Sequence, residues 1–209
     1  SEPCSYLQYI EKQIKKYNLS PDNKKGFLQL REKYNSIPVN KRDPRMLYTL
    51  ILYGFQQQIR FNTNWGFNNP AGSRWFNENL LSKFIAFTRS LQAKNVVFMN
   101  SSFKNLDIQF TPNMFIYADP PYRSTLGVYN DGKRGFEGWT LEHEQQLCEF
   151  LDIANKHESK FMLSYVVRVG DFTNNEIIEW TNKNKYHMVN VVTPQGRYNN
   201  RHEVLIKNY

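Results

Sequence analysis

Five short apolar runs in the second half of the chain, interleaved with two amphipathic stretches, constrain its fold more than any other feature. The runs are "NVVFMN" (95–100), "NMFIYA" (113–118), "KFMLSYVV" (160–167), "HMVNVVT" (187–193) and "EVLIKNY" (203–209). Each has the length of a strand and is short for a buried helix. Between the second, third and fourth lie "TLEHEQQLCEFLDIANK" (140–156) and "TNNEIIEWTNKN" (173–184). In the former, Thr140 offers an N-cap and Leu147, Phe150, Leu151 and Ala154 fall on one helical face. Strands separated by helices predict an α/β fold with a mostly parallel sheet. The last two strands are close in sequence, which predicts an antiparallel pair at an edge.

The first half reads differently. Residues 1–17, 21–36 and 44–58 carry apolar positions at helical spacing. Asp43 as cap and Pro44 at the first helical position predict where the third of these begins. The stretch "IRFNTNWGFNNPAGSR" (59–74) alternates apolar and polar residues around a glycine and is rich in asparagine, which predicts a β-hairpin with a polar tip. Residues 75–93 return to helix. The expected organisation is an α-rich lobe over 1–93, with the hairpin near 59–74, followed by an α/β part over 94–209.

A chain of 209 residues that is 40% hydrophobic can bury a sizeable core, which excludes a disordered protein. No apolar run approaches the ~20 residues of a membrane span, so no membrane association is expected. The opening "SEPCSYLQYIEKQIKKYNLS" reads as an amphipathic helix, not a signal peptide. Cys4 and Cys148 are far apart and lack metal-ligand spacing. They predict free thiols in a reducing cytoplasm and no metal centre. A net charge of +8 points to a polyanion such as nucleic acid.

The chemistry concentrates in "IYADPPYRS" (116–124). In open α/β sheets, functional groups collect at the carboxyl ends of strands, and Asp119 falls there. Pro120 and Pro121 have no N–H and a fixed φ, so no ladder claims them and their carbonyls can aim outward. A carboxylate beside a fixed carbonyl makes a pair of acceptors suited to a planar amino group with two hydrogens. The Tyr122 ring can stack on a flat ligand, a contact worth roughly 1–3 kcal/mol for a nucleobase. Such a set would hold the exocyclic amine of a base swung out of its stack.

With these residues in view, the chain resembles the Dam-type (D12 class) DNA N6-adenine methyltransferases, the phage enzymes especially. "DPPY" is similar to their catalytic motif. "KYNLSPDNKKGFLQLREKYN" resembles their helical lead-in, and "DPRMLYTLILYGFQQQIRFNTNWGFNNPAG" their recognition helix and hairpin. "MNSSFKNLDI", "FMLSYV" and "EVLIKNY" resemble sheet segments in the family's order. The resemblance implies a Rossmann-like sheet dependent on S-adenosyl-L-methionine, joined to an α-rich DNA-recognition lobe. The implied reaction moves a methyl group to a flipped-out adenine in a short site of double-stranded DNA, often GATC, in a bacterial or phage-infected cell.

Roles follow from the same resemblance. Asp119 and Pro120 would accept from adenine N6, with Pro121 completing the turn and Tyr122 stacking on the base. Asp119 would border the methyl donor. Ser102 and Phe103 match a segment near the donor's adenine; a sheet-edge serine beside a core phenylalanine is the alternative. Between residues 40 and 90, seven basic residues (Lys41, Arg42, Arg45, Arg60, Arg74, Lys83, Arg89) face two acids (Asp43, Glu78). Such a lobe suits phosphate, with Lys41, Arg42 and Arg74 as contacts. Arg60 and Asn62 on the hairpin are placed to read guanine and adenine edges, and a phosphate contact is the alternative for Arg60. Family members often carry Asn-Gly shortly before this arginine, whereas this chain has "QQQIR". Arg197 and Arg201 in "QGRYNNRHE" are further phosphate candidates, or part of a solvated edge hairpin.

One expected part is absent. No glycine before Asp119 follows an apolar strand, so the Gly-rich loop that approaches the donor's methionine is not found in this sequence. The expectation is a piece of an enzyme whose N-terminal donor-binding part lies elsewhere. A split enzyme completed by a second chain and a catalytically inactive DNA-binding remnant are the alternatives.

Overall fold

In the computed structural model, the Asp43 carboxylate accepts the Arg45 amide at 2.8 Å and Pro44 opens helix α3 (Pro44–Tyr53). The structure describes residues 3–123, 139–191 and 201–209. They divide into two units, residues 3–99 and residues 100–123 with 139–191 and 201–209.

In the first unit, α1 (Pro3–Tyr17) and α2 (Lys24–Asn35) precede α3. Asn23 caps α2: its Oδ1 accepts the Gly26 amide at 3.0 Å, and its Nδ2 donates to the Asn18 carbonyl at 2.7 Å. Glycine is needed at 26, because a Cβ there would stand 2.0 Å from the Tyr17 carbonyl oxygen. The three helices bury Ile10, Phe27, Leu30, Met46 and Leu50 together with Phe67, each contributing roughly 1.5–3 kcal/mol if fully removed from water. Helix α4 (Glu78–Gln92), capped by Asn77, rests Leu80 on that core. Its Phe84 ring lies 6.0 Å from Tyr48 and 6.5 Å from Tyr6.

Two expectations for this unit change. Helix α3 ends at Tyr53, not near 58, because Gly54 leaves helical geometry and Gln56 and Gln57 take positive φ. The stretch expected as a hairpin is a loop closed by two single antiparallel bridges, Gly54 with Ala71 and Phe61 with Phe67. Side chains have taken the backbone groups a ladder would use. Asn35 accepts the Phe67 amide at 2.8 Å and donates to the Phe67 carbonyl at 3.0 Å. Buried Asn69 donates to the carbonyls of Phe55 and Gln58 at 3.0 and 3.1 Å, and Pro70 has no N–H to give.

The second unit is an α/β layer. Strands β1 (Phe115–Ala118), β2 (Lys160–Val169), β4 (His187–Asn190) and β5 (Arg201–Lys207) lie in the order β1-β2-β5-β4, and β3 (Phe172–Thr173) pairs with β2. Helix α5 (Leu141–Lys156) connects β1 to β2, and α6 (Asn175–Lys183) leads to β4. The sheet is mixed, not mostly parallel. Among the described strands only β1 and β2 pair parallel, because β5 inserts antiparallel to both of its neighbours. Alternate residues Phe161, Leu163, Tyr165 and Val167 of β2 join Val204 and Ile206 of β5 under Leu147 and Leu151 of α5 and Ile177 of α6.

The expected strand at 95–100 does not form. Val97, Phe98 and Met99 are 74, 79 and 69 % exposed, and no described residue pairs with them, so there is no ladder to define a strand. No helix among the described residues is long and apolar enough to cross a membrane.

Candidate active site

Strand β1 stops at Ala118, and the next four residues turn away from it at the carboxyl end of the parallel pair. Asp119 is exposed there. The Tyr122 phenol donates to Asp119 Oδ1 at 2.9 Å and lies 3.4 Å from the Ser164 hydroxyl on β2. Ala118 is paired with Leu163, so the residue after each strand partner faces the same opening. Burial pushes the phenol above its ordinary value. The Ser164 hydrogen bond opposes this shift, and the charges of Asp119 and Glu203 add to it. The phenol therefore keeps its proton and remains a donor to the carboxylate.

The Tyr122 ring is held on two sides. Tyr165 meets it edge-on with centroids 5.4 Å apart. The Arg201 guanidinium stands 5.2 Å from its centroid and pairs with Glu203. Arg201, read as a phosphate candidate or part of a solvated edge hairpin, thus lies against the motif tyrosine. Ser102 is exposed, while Phe103 packs on Phe150 and Trp139 at 5.7 and 6.3 Å. Ser164 was not anticipated. Its signal was a serine inside the apolar run "KFMLSYVV", one residue past the register of the β1 terminus.

The basic residues of the first unit separate into two kinds. Arg42 donates from Nε to the Ile37 carbonyl at 3.0 Å and also to the Trp65 carbonyl, and it covers the Tyr34 ring at 4.8 Å. Arg45 is bound to Asp43 at 2.7 Å and lies over Tyr9. Both work inside the unit. Lys41, Arg60 and Arg74 are exposed, with Arg74 donating to Gln57 Oε1 at 3.1 Å. Asn62 shapes the loop tip, its Oδ1 accepting the amides of Asn64 and Gly66 at 3.0 and 2.8 Å. Arg197 lies outside the described residues. Among the described residues no cluster of three or more His, Cys, Asp or Glu could hold a metal ion.

Residues 4–195 match the family described as D12 class N6 adenine-specific DNA methyltransferase. The chain is 37% identical to the Type II methyltransferase M.FokI of Planomicrobium okeanokoites, over 97% of this chain and 32% of that protein. It is 36% identical to the modification methylase StsI of Streptococcus sanguinis, over 99% of this chain and 32% of that protein. A DNA adenine methylase of Vibrio cholerae is 27% identical, over 83% of this chain and 60% of its own length. The chain thus spans about a third of the length of the first two relatives.

Proposed function

Because the chain belongs to the D12 class of N6 adenine-specific DNA methyltransferases, we propose that it performs target recognition and methyl transfer to adenine N6 in duplex DNA. The observation that carries this reading is the Asp119 carboxylate, exposed at the end of β1 and oriented by the Tyr122 phenol. Asp119 and the Pro120 carbonyl accept the two N6 hydrogens, which turns the nitrogen lone pair away from them and toward an electrophile. Orientation, not a strong base, supplies the rate. Asp119 is then in reach of the proton that the alkylated amine sheds. Tyr122 offers its ring to the base, and an adenine stacked there shares that ring with Arg201 or displaces it.

S-Adenosyl-L-methionine, when bound, supplies the electrophilic methyl group. The residues present would suit one side of such a donor: Asp119 and Ser102 are exposed, and Phe103 packs against the core of the second unit. The other side we assign to a strand and Gly-rich loop outside these 209 residues, from a preceding segment or a second chain. The support is the edge of β1, which pairs only with β2 among the described strands and stands at the end of their order.

In the first unit, Arg60 reads a base edge from the exposed loop while Lys41 and Arg74 meet phosphate. The DNA substrate places this work in the cytoplasm of a bacterial or phage-infected cell, as a modification methylase acting on one short sequence.

The test is transfer of a labelled methyl group to adenine in duplex DNA, by this chain alone and by a longer form carrying a donor-binding strand. The longer form should yield N6-methyladenine at one short sequence, and the shorter should bind donor weakly. A longer form that binds DNA but neither binds donor nor transfers a methyl group would leave a DNA-binding module without catalysis.

A further inference from the structure

Glu144 is a carboxylate where carboxylates are rarely found. It sits three and four residues before Leu147 and Cys148 on the buried face of α5 and is 2 % exposed. Removing such a group from water is costly unless hydrogen bonds and an opposite charge hold it. Its Oε2 accepts from the Tyr165 phenol and, at 2.7 Å, from Asn174 Nδ2. Its Oε1 has no hydrogen-bond partner among the described residues and faces Arg123 Nη1 across 3.9 Å. Arg123 Nη2 is in turn bonded to Glu176 Oε2 at 2.7 Å.

Two of these connections lead to the strand-end turn. Arg123 is the residue after Tyr122. Tyr165 presents its ring edge-on to the Tyr122 ring, 5.4 Å away at 73°. The third, Asn174, also caps α6 by accepting the Ile177 amide at 3.1 Å, so the start of that helix is tied to the same carboxylate. A leucine at 144 would fill the space but leave the Tyr165 hydroxyl, the Asn174 amide and the Arg123 guanidinium without the carboxylate that faces them, and removing one member of a buried set is destabilising. Apolar replacement of such a buried set as a whole is often neutral or stabilising, so stability alone does not account for a charged set at this place. We infer that Glu144 is a positioning residue: through Tyr165 and Arg123 it fixes Tyr122, and through the Tyr122 phenol it fixes the Asp119 carboxylate. The catalytic consequence rests on the methyl-transfer reading of residues 119–122, whereas the structural link does not.

Amide hydrogen exchange of the chain reads the link directly. Glu144→Gln keeps the volume and an acceptor for Tyr165 but removes the charge facing Arg123. Exchange at the Tyr122 and Arg123 amides should quicken while the second half of α5 keeps its parental rates. Unchanged exchange at both amides would overturn the inference. In the methyl-transferring enzyme, Glu144→Leu should lower kcat by about 10- to 100-fold, as small misplacements of reacting groups do. KM for DNA should stay near parental, the unfolding midpoint of Glu144→Leu should fall because the Tyr165 hydroxyl and the Asn174 amide lose their acceptor, and Glu144→Gln should lie between Leu and the parent. Parental kcat, or a loss of kcat that disappears at temperatures well below the fallen midpoint, overturns it. If Glu144→Leu does not fold, Glu144→Gln decides on the same readings. If the parent transfers no methyl group, the proposed function fails, and the exchange experiment alone decides the positioning role.

Discussion

The Tyr122 phenol donates a 2.9 Å hydrogen bond to the Asp119 carboxylate, three residues back along the same turn. On the proposed reading the motif tyrosine therefore has two duties, a ring for a base and a hydroxyl for the acid. Tyr122→Phe keeps the first and loses the second. It should lower methyl transfer while DNA binding stays near parental. Tyr122→Ala should fall further, losing in addition roughly 1–3 kcal/mol of stacking. Single-turnover rates and binding of both variants check this, and a phenylalanine variant with parental turnover would remove the hydroxyl from the account.

Asp119→Ala should abolish methyl transfer and leave DNA affinity nearly intact, because the carboxylate is exposed at a strand end and supports no core. The paired measurement is N6-methyladenine yield against a binding isotherm. Substantial turnover would exclude Asp119 from the mechanism.

The two kinds of arginine in the first unit predict two kinds of loss. Arg42 donates to backbone carbonyls and covers Tyr34, so Arg42→Ala should destabilise the chain by about 1–3 kcal/mol in thermal or denaturant unfolding. Arg60→Ala should leave stability alone and relax discrimination at one base pair, by roughly 1–3 kcal/mol. Arg74→Ala should weaken all sequences alike and lower the salt slope by about 1. A panel of single-base variants titrated at several salt concentrations separates these outcomes.

Burial pushes the Cys148 thiol from 9.0 up to about 12, and nearby Glu144 and Asp152 add to the shift. Its folded-state value is raised, so its contribution to stability is complete below pH 9.0 and is lost as pH rises toward about 12. Unfolding midpoints should fall across that window, less steeply in Cys148→Ala, with the buried Tyr165 phenol sharing the remaining slope. Alkylation of this thiol near neutral pH should be slow until the chain unfolds. Rapid labelling of Cys148 itself in the folded chain, read apart from Cys4, would show that α5 opens locally.

Capping chemistry made α3 readable, since Asp43 and Pro44 need only their neighbours to start a helix. The apolar run before Asp119 likewise told of a strand, and β1 ends at Ala118. The run at 95–100 looked the same on paper. Apolar composition states a need for cover but not what provides it, and Val97, Phe98 and Met99 are covered by no described residue. Charge was the other blind spot. Arg42 and Arg60 weigh equally in a count of basic residues, yet backbone carbonyls distant in sequence bind the first and leave the second exposed. Glu144 was visible as an acid on the apolar face of a predicted helix, but its partners Tyr165 and Asn174 come from β2 and from the cap of α6.

The neck of the loop between Gly54 and Gly72 is gripped through main-chain atoms. Asn35 holds the amide and carbonyl of Phe67, Arg31 the carbonyl of Asn69, Arg42 that of Trp65, and Asn69 those of Phe55 and Gln58. Every residue type presents the same carbonyl, so the grip is blind to the side chains it frames. Outside Asn62, which shapes the tip, the lettering at positions such as Arg60, Thr63 and Asn64 can drift without disturbing the mount. On the proposed reading of this loop as the one that meets base edges, a lineage can thereby rewrite its target sequence by point substitution while its scaffold stays under unchanged selection.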